Sequence, residues 1–200
     1  MPRGGIPLLL LCGASGAGKS SVAWEIYFKL VRAREPIAHV DLDGIGYGPP
    51  GHFGSFEMKF QNAAAVWRCY ADVGAQAFIV SGLRALREDV DACTAVVPQS
   101  VPTVVVLTLT ADEQRERIVS RAHARFALER GGGSSAQTPE ALEQVVTAAA
   151  QELEDEVEHI PGSLTVATVG LAVPEIARQI LAATGWPGRP IQPTVGPRPR

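Results

Sequence analysis

Cysteine is scarce in this sequence of 200 residues, and its few copies form no pattern. Cys12, Cys69 and Cys93 are odd in number and widely spaced, and no two of them make a C-x-x-C pair. Zinc-binding modules and disulfide frameworks both need paired or regularly spaced cysteines. Neither kind of structure is therefore suggested, and reduced thiols in a cytoplasm are expected.

Long apolar runs and an excess of positive charge are also missing. No stretch approaches the roughly 18 apolar residues that a membrane helix requires. Lysine and arginine number 18 against 21 aspartates and glutamates, which leaves a net charge of −3. That balance gives no electrostatic reason to expect nucleic acid or an anionic membrane as a partner. The hydrophobic fraction of 46% suits a globular chain with a sizeable core.

What the sequence does contain is a glycine-rich segment between a predicted strand and a predicted helix. It matches G-x-x-x-x-G-K-[ST] through Gly13, Ala14, Ser15, Gly16, Ala17, Gly18, Lys19 and Ser20, with Ser21 next along the chain. The backbone N–H groups of such a loop point inward at phosphate, and the following helix adds its positive end. We expect Lys19 to reach the β- and γ-phosphates and the Ser20 hydroxyl to hold Mg²⁺. A glycine-rich turn without a ligand is the alternative, but the flanking strand and helix favour nucleotide binding.

Strands and helices alternate five times along the chain. Strands are predicted at 8–12, 37–40, 77–80, 103–109 and 164–168, the fourth of them buried on both faces. Helices are predicted at about 22–30, 56–73, 84–97, from 110 onward, from 138 to about 157, and at 174–183. The alternation implies an α/β three-layer sandwich with a five-stranded parallel sheet, and the glycine-rich motif between the first strand and helix is typical of P-loop NTPases. One domain is expected over 1–184, with a disordered Pro, Gly and Arg tail over 185–200.

Two aspartates follow the second predicted strand, at the sheet edge where such folds bind ligands. Asp41 and Asp43 are two residues apart, so on an extended chain they point to the same side. One could accept the proton of an acceptor hydroxyl. We prefer Asp41 as this base because it is nearer the strand, and Asp43 as a partner of substrate or Mg²⁺. The alternative is that both are turn residues, since aspartate favours turns.

Arginines recur every four residues on the helix after the fourth strand. Arg117, Arg121 and Arg125 therefore share one helix face, and a glycine-rich break follows at 131–135. We expect a mobile lid that brings guanidinium groups onto the phosphates, with Arg117 at the nucleotide and Arg121 at the transition-state charge. The alternative is a solvated face paired with the helix's own acids.

Two further residues are candidates for binding the acceptor. Arg84, after the third strand, would clamp an anionic or polyhydroxyl substrate, or else makes a structural salt bridge. Asn62 would hydrogen-bond the acceptor, or else lies on the surface of its helix.

Together with the loop, several segments resemble the small P-loop kinases of metabolites and antibiotics. These are gluconate kinase, adenylylsulfate kinase, chloramphenicol phosphotransferase and the tunicamycin-resistance type of ATP-binding protein. Three segments carry this resemblance: Val40-Asp41-Leu42-Asp43, the turn Ser81-Gly82-Leu83-Arg84, which is similar to one in gluconate kinase, and the pair Arg117 and Arg121. A fourth segment, Lys59-Phe60-Gln61-Asn62, resembles actinobacterial ATP-binding proteins of unassigned substrate. The resemblance implies a nucleoside- or shikimate-kinase-like fold. The chain departs from it at Val166-Ala167-Thr168, where the relatives often have Asp-Thr, and no acidic residue closes the third or fourth strand.

The leading function is therefore an ATP-dependent kinase that phosphorylates a hydroxyl of a small molecule, with ATP and Mg²⁺ as cofactors. A GTPase is disfavoured because its N/T-K-x-D motif needs a lysine, and none follows Lys59. A motor or AAA-type ATPase would need a pair of acids after an apolar strand, which is also missing. A non-kinase ATPase or a nucleotide-binding regulatory module is the alternative, and a homodimer is left open.

Overall fold

The computed structural model describes residues 5–46, 48, 55–128, 138–155 and 160–188, with backbone only for 123–128 and 155. Its strands are β1 (Ile6–Cys12), β2 (Ile37–Asp41), β3 (Ala77–Leu83), β4 (Ser100–Thr108) and β5 (Leu164–Ala167). Its helices are α1 (Lys19–Arg32), α2 (Phe56–Asp72), α3 (Arg87–Ala95), α4 (Ala111–Leu128), α5 (Pro139–Asp155) and α6 (Val173–Thr184). A 3₁₀ turn at Leu42–Gly44 follows β2 directly. The predicted alternation of strands and helices is confirmed.

The strands form one parallel sheet in the order β2-β3-β1-β4-β5. Central strand β1 is buried on both faces, as a continuous apolar run in a parallel sheet requires. Leu9 and Leu11 pack on one face with residues of α1 and α6, whereas Leu8 and Leu10 pack on the other with residues of α2 and α3. The predicted three-layer sandwich is therefore correct.

Two elements differ from the sequence prediction. The helix expected at 84–97 begins only at Arg87, because β3 continues to Leu83, which is paired with Cys12 of β1. The prediction that the fourth strand is buried on both faces holds only in part. Within the predicted range 103–109, Val105 and Leu107 on one face are buried, whereas Val104 and Val106 on the other face are half-buried. The helices on the second face therefore cover β4 incompletely.

Helices α4 and α5 pack side by side next to the sheet. Threonine side chains cap both N-termini: Thr110 Oγ1 accepts from the N–H of Glu113 at 3.3 Å, and Thr138 Oγ1 accepts from that of Ala141 at 3.2 Å. Ile118 of α4 packs against Val146 and Ala149 of α5. The glycine-rich break predicted at 131–135 lies outside the described residues.

The packed core continues past Thr184, where the predicted domain ends. Trp186 is 5% exposed and packs into the cluster formed by α1, α6 and the sheet. Residues 189–200, the rest of the predicted tail, are not among those described. Among the helices of the described ranges, none has the length and hydropathy needed to cross a membrane.

Candidate active site

The phosphate loop (residues 13–20) turns from the end of β1 into α1. Gly13, Gly16 and Gly18 have φ values of 136°, 89° and 92°. At Gly13 a Cβ would lie 2.3 Å from the backbone oxygen of Leu107 in β4, so a side chain does not fit there. The N–H of Ala17 donates to Ala14 O at 3.1 Å and closes the turn. The shape of the loop is therefore set by its close approach to β4.

Lys19 begins α1 and bends back over the loop. Its Nζ donates to Gly13 O and, at 3.0 Å, to Ala14 O. Ser20 is half-buried in the first turn of α1, and Ser21 is exposed. The ammonium thus lies at the loop itself, and its contact with nucleotide phosphates stays a prediction.

Ser15 joins the loop to both helices beside it. Its N–H and Oγ donate to Glu152 Oε2 of α5 at 3.2 and 2.6 Å. The side chain of Gln114 in α4 donates from Nε2 to Ser15 O at 3.0 Å and to Ala149 O at 2.8 Å. Neither Glu152 nor Gln114 was predicted from the sequence as a site residue. One signal for Gln114 was available, because it lies four residues before buried Ile118 on the inner face of α4.

Arg117 ties α4 to the loop and to the end of β5. Its guanidinium donates to Gly16 O at 3.2 Å and to Thr168 Oγ1 and O at 3.0 and 3.1 Å, and it pairs with Glu113 at 2.7 Å. Arg121, one turn further along, is exposed and has no partner within the described ranges. The side chain of Arg125 is outside the description. Arg117 therefore contacts the loop directly. Binding of nucleotide by Arg117 and stabilisation of transition-state charge by Arg121 stay predictions.

Asp41 is the last residue of β2 and caps the turn that follows. Its Oδ1 accepts from the N–H of Asp43 at 3.0 Å. For this oxygen, the alternative that Asp41 is a turn residue is therefore correct. No partner for Asp41 Oδ2 is found among the described residues. Gly82 of β3, at φ 86°, allows this arrangement, since a Cβ there would lie 3.0 Å from Asp41 Oδ1.

Asp43 has a different environment from Asp41. Its side chain is 65% exposed, and Oδ1 accepts from Lys59 Nζ of α2 at 3.0 Å. The Lys59 ammonium also lies 4.9 Å from the centroid of the Phe56 ring. Lys59 had no role predicted from the sequence beyond its place in the segment 59–62. Its ion pair with Asp43 depends on how α2 packs against the end of β2.

Arg84 and Asn62 both make structural contacts. Arg84 donates from Nε and Nη2 to the carboxylate of Asp89 at 2.7 Å each, and its guanidinium lies 4.3 Å from the Phe56 ring centroid. Hydrogen bonding to Asp89 is the main cause that raises the pKa of Arg84. Asn62 Nδ2 donates to Ile45 O at 2.8 Å, which ties α2 to the segment after β2. The salt-bridge alternative therefore holds for Arg84, and acceptor binding by either residue stays a prediction.

His39 lies on edge strand β2 near these groups. Its Nε2 is 3.1 Å from Ser81 Oγ, and its ring centroid is 4.7 Å from that of Trp24. Burial lowers the pKa of His39 to about 4, although the charge of Asp41 opposes the change. The imidazole is therefore neutral near neutral pH and is a packed core group.

A magnesium site would be made of few protein ligands. Within the described ranges there is no group of three or more His, Cys, Asp or Glu side chains that could hold a metal ion. The Ser20 hydroxyl and the Asp43 carboxylate are the hard oxygen donors that Mg²⁺ prefers, and Mg²⁺ usually keeps several of its own waters. These oxygens suit the ion chemically, although Asp43 Oδ1 is already paired with Lys59 Nζ at 3.0 Å.

No protein-family model and no curated protein matches the chain. Solved structures do match its fold. The APS kinase of Mycobacterium tuberculosis, in complex with AMPPNP and APS, is 16% identical with a TM-score of 0.59, over 89% of this chain and 96% of that chain. A gluconokinase from Sinorhizobium meliloti is 20% identical (TM-score 0.53, 90% and 92%). The tunicamycin resistance protein of Deinococcus radiodurans is 16% identical (TM-score 0.54, 90% and 96%). The chain therefore has the fold of small P-loop kinases, the family that its sequence resembles.

Proposed function

We propose that this protein is an ATP-dependent kinase that transfers the γ-phosphoryl group of ATP to a hydroxyl of a small molecule. The observation that carries the proposal is the position of Asp41 relative to the phosphate loop. Cys12, just before the loop, is paired with Leu83 of β3, and Asp41 is paired with Ser81 of the same strand. One strand therefore separates the two groups, which corresponds to roughly 10 Å. A transferring phosphoryl group and an acceptor hydroxyl fit between them.

The proposed chemistry assigns the loop to the nucleotide and Asp41 to the acceptor. The acceptor oxygen attacks the γ-phosphorus, the bond from that phosphorus to the bridging oxygen breaks, and ADP leaves. The hydroxyl proton passes to Asp41 Oδ2, the oxygen that does not cap the turn. Bound Mg²⁺ would neutralise phosphate charge, with Ser20 and Asp43 as its protein ligands.

The remaining candidates take supporting roles in this proposal. Arg117 holds the loop through Gly16 O, whereas Arg121 is exposed one turn further along α4 and would meet the charge on the moving phosphoryl group. Arg84 and Asn62 remain candidates for the acceptor. ATP as the donor is supported by the fold neighbour solved with the ATP analogue AMPPNP.

Nucleotide turnover tests the loop. Lys19→Ala should abolish ATP turnover and remove thermal stabilisation by Mg-ATP, because the ammonium no longer reaches the phosphates. Lys29→Ala is the matched control, since Lys29 is exposed on the same helix. Both variants should remain folded without nucleotide, which circular dichroism checks. Undiminished turnover in Lys19→Ala would remove the loop from the mechanism.

Asparagine variants of the two aspartates separate a kinase from an ATPase or a binding module. ADP release is measured with a panel of nucleosides, sugars, sugar acids and antibiotics at saturating Mg²⁺. Asp41→Asn should slow phosphoryl transfer by about 10²–10⁴-fold, the usual contribution of a general base. An amide oxygen can still accept from the N–H of Asp43, so the turn is retained, and the slow transfer to water should be spared. Normal transfer by both Asp41→Asn and Asp43→Asn would mean that the aspartates are turn residues only.

A further inference from the structure

One carboxylate of the chain already lies on the phosphate loop. Glu152 Oε2 accepts hydrogen bonds from both the N–H and the Oγ of Ser15, at 3.2 and 2.6 Å. A carboxylate oxygen and a phosphate oxygen have the same requirements, a negative charge and donors from N–H or O–H groups. Glu152 therefore fills donors of the loop that would otherwise be open to a phosphate.

The position of Glu152 is fixed by the packing of α5. Gln114 is 2% exposed and donates both to Ser15 O and to Ala149 O, less than one helical turn before Glu152. Ala149 itself is buried against Ile118 of α4. The contact therefore belongs to the α4–α5 pair as it is packed, and Ser15 is its target.

We propose that Glu152 is an intramolecular competitor for the phosphate loop, occupying the Ser15 donors in the free protein and leaving them when nucleotide phosphate binds. The inference rests on the proposed function, because it requires the loop to bind nucleotide. A carboxylate and a phosphate cannot both accept from the Ser15 N–H and Oγ, because two negative charges within hydrogen-bonding distance of the same donors repel strongly. The apparent affinity for nucleotide is therefore reduced by the fraction of molecules in which Glu152 holds the loop. Nucleotide binding also releases the last turn of α5 from Ser15.

Affinities for ADP and ATP, measured by calorimetry, test the competition. Glu152→Gln should tighten binding of both nucleotides by about 10-fold, because the charge-assisted contact is lost and the competitor is weakened. Glu154→Gln is the matched control, since Glu154 is exposed two residues away on the same helix. It should change the dissociation constants less than about twofold, as expected of a screened surface charge.

Two more variants separate the contact from a general repulsion. Glu152→Asp keeps the charge but is one methylene shorter, so it should also tighten binding, although less than Glu152→Gln. In a Ser15→Ala background the gain from Glu152→Gln should shrink, because the 2.6 Å hydroxyl contact is already absent. Simple charge repulsion would instead leave Glu152→Asp at the wild-type affinity and the gain unchanged in Ser15→Ala.

Circular dichroism and thermal melting establish that each variant is folded, and Glu152→Asp carries the test if Glu152→Gln does not fold. Equal or weaker nucleotide binding by folded Glu152 variants would overturn the competition and make Glu152 a support of the loop. Failure of the wild type and all variants to bind nucleotide would instead refute the proposed function, and the competition with it.

Discussion

Acid should destabilise this fold through one buried histidine on β2. His39 is 9% exposed, and its ring packs against those of Trp24 and Tyr27, with centroids 4.7 and 6.1 Å away. Nε2 has Ser81 Oγ at 3.1 Å, but Nδ1 is buried with no hydrogen-bond partner in the described part of the chain. A proton added to this ring would put a charge in a site that offers little to stabilise it. Burial therefore lowers the pKa of His39 to about 4, and the carboxylate of Asp41 opposes this only in part.

The size of the effect follows from the two pKa values. In the unfolded chain His39 titrates near its ordinary pKa of about 6.5. On acidification the unfolded state binds the proton first, so stability falls as the pH drops from about 6.5 towards 4 and is intact above that range. The complete loss corresponds to about 3 kcal/mol, and at about pH 5 it reaches about 2 kcal/mol.

Urea unfolding of the wild type and His39→Gln at about pH 8 and pH 5 measures this loss. Glutamine stays neutral at both pH values and can keep a hydrogen bond to Ser81, so the variant should lose about 2 kcal/mol less than the wild type on acidification. Carboxylates elsewhere titrate alike in both proteins and cancel in the comparison. Equal losses in the two proteins would refute the argument, because His39 would then titrate in the folded state as it does in the unfolded chain.

Three substitutions test other contacts of the site. Arg84→Met should lower the free energy of unfolding by about 2–3 kcal/mol in urea, because the Asp89 carboxylate, 5% exposed, loses its bidentate, charged hydrogen-bond partner. An unchanged stability would mean that the pair contributes nothing net. Gln114→Leu should cost about 1–3 kcal/mol in the same assay, since two carbonyls lose their donor, and a neutral result would show that other donors replace it. Gly82→Ala should slow phosphoryl transfer in a protein that is still folded, because the added Cβ would lie 3.0 Å from Asp41 Oδ1 and displace that carboxylate. Phosphoryl transfer at the wild-type rate would mean that Asp41 is not the base.

The sequence by itself determined the elements of this fold and the loop between β1 and α1. Apolar runs of strand length and apolar positions at helical spacing are local signals, and so are the caps at Thr110 and Thr138. The continuous run of leucines in β1 already required cover on both faces of the sheet. The position of Asp41 at the end of β2 followed from the same local reasoning.

Only the tertiary structure decided which distant groups meet. Alternation of strands and helices implies a parallel sheet, but it does not give the order β2-β3-β1-β4-β5 that puts one strand between Asp41 and the loop. Glu152 and Ser15 are 137 positions apart, and Gln114 and Ser15 are 99 apart. Nothing local distinguishes Glu152 from the other acids of α5. Its contact with the loop exists because the rotation of that helix is set by the packing of Ile118, Val146 and Ala149, a property of the assembled helices rather than of any one segment.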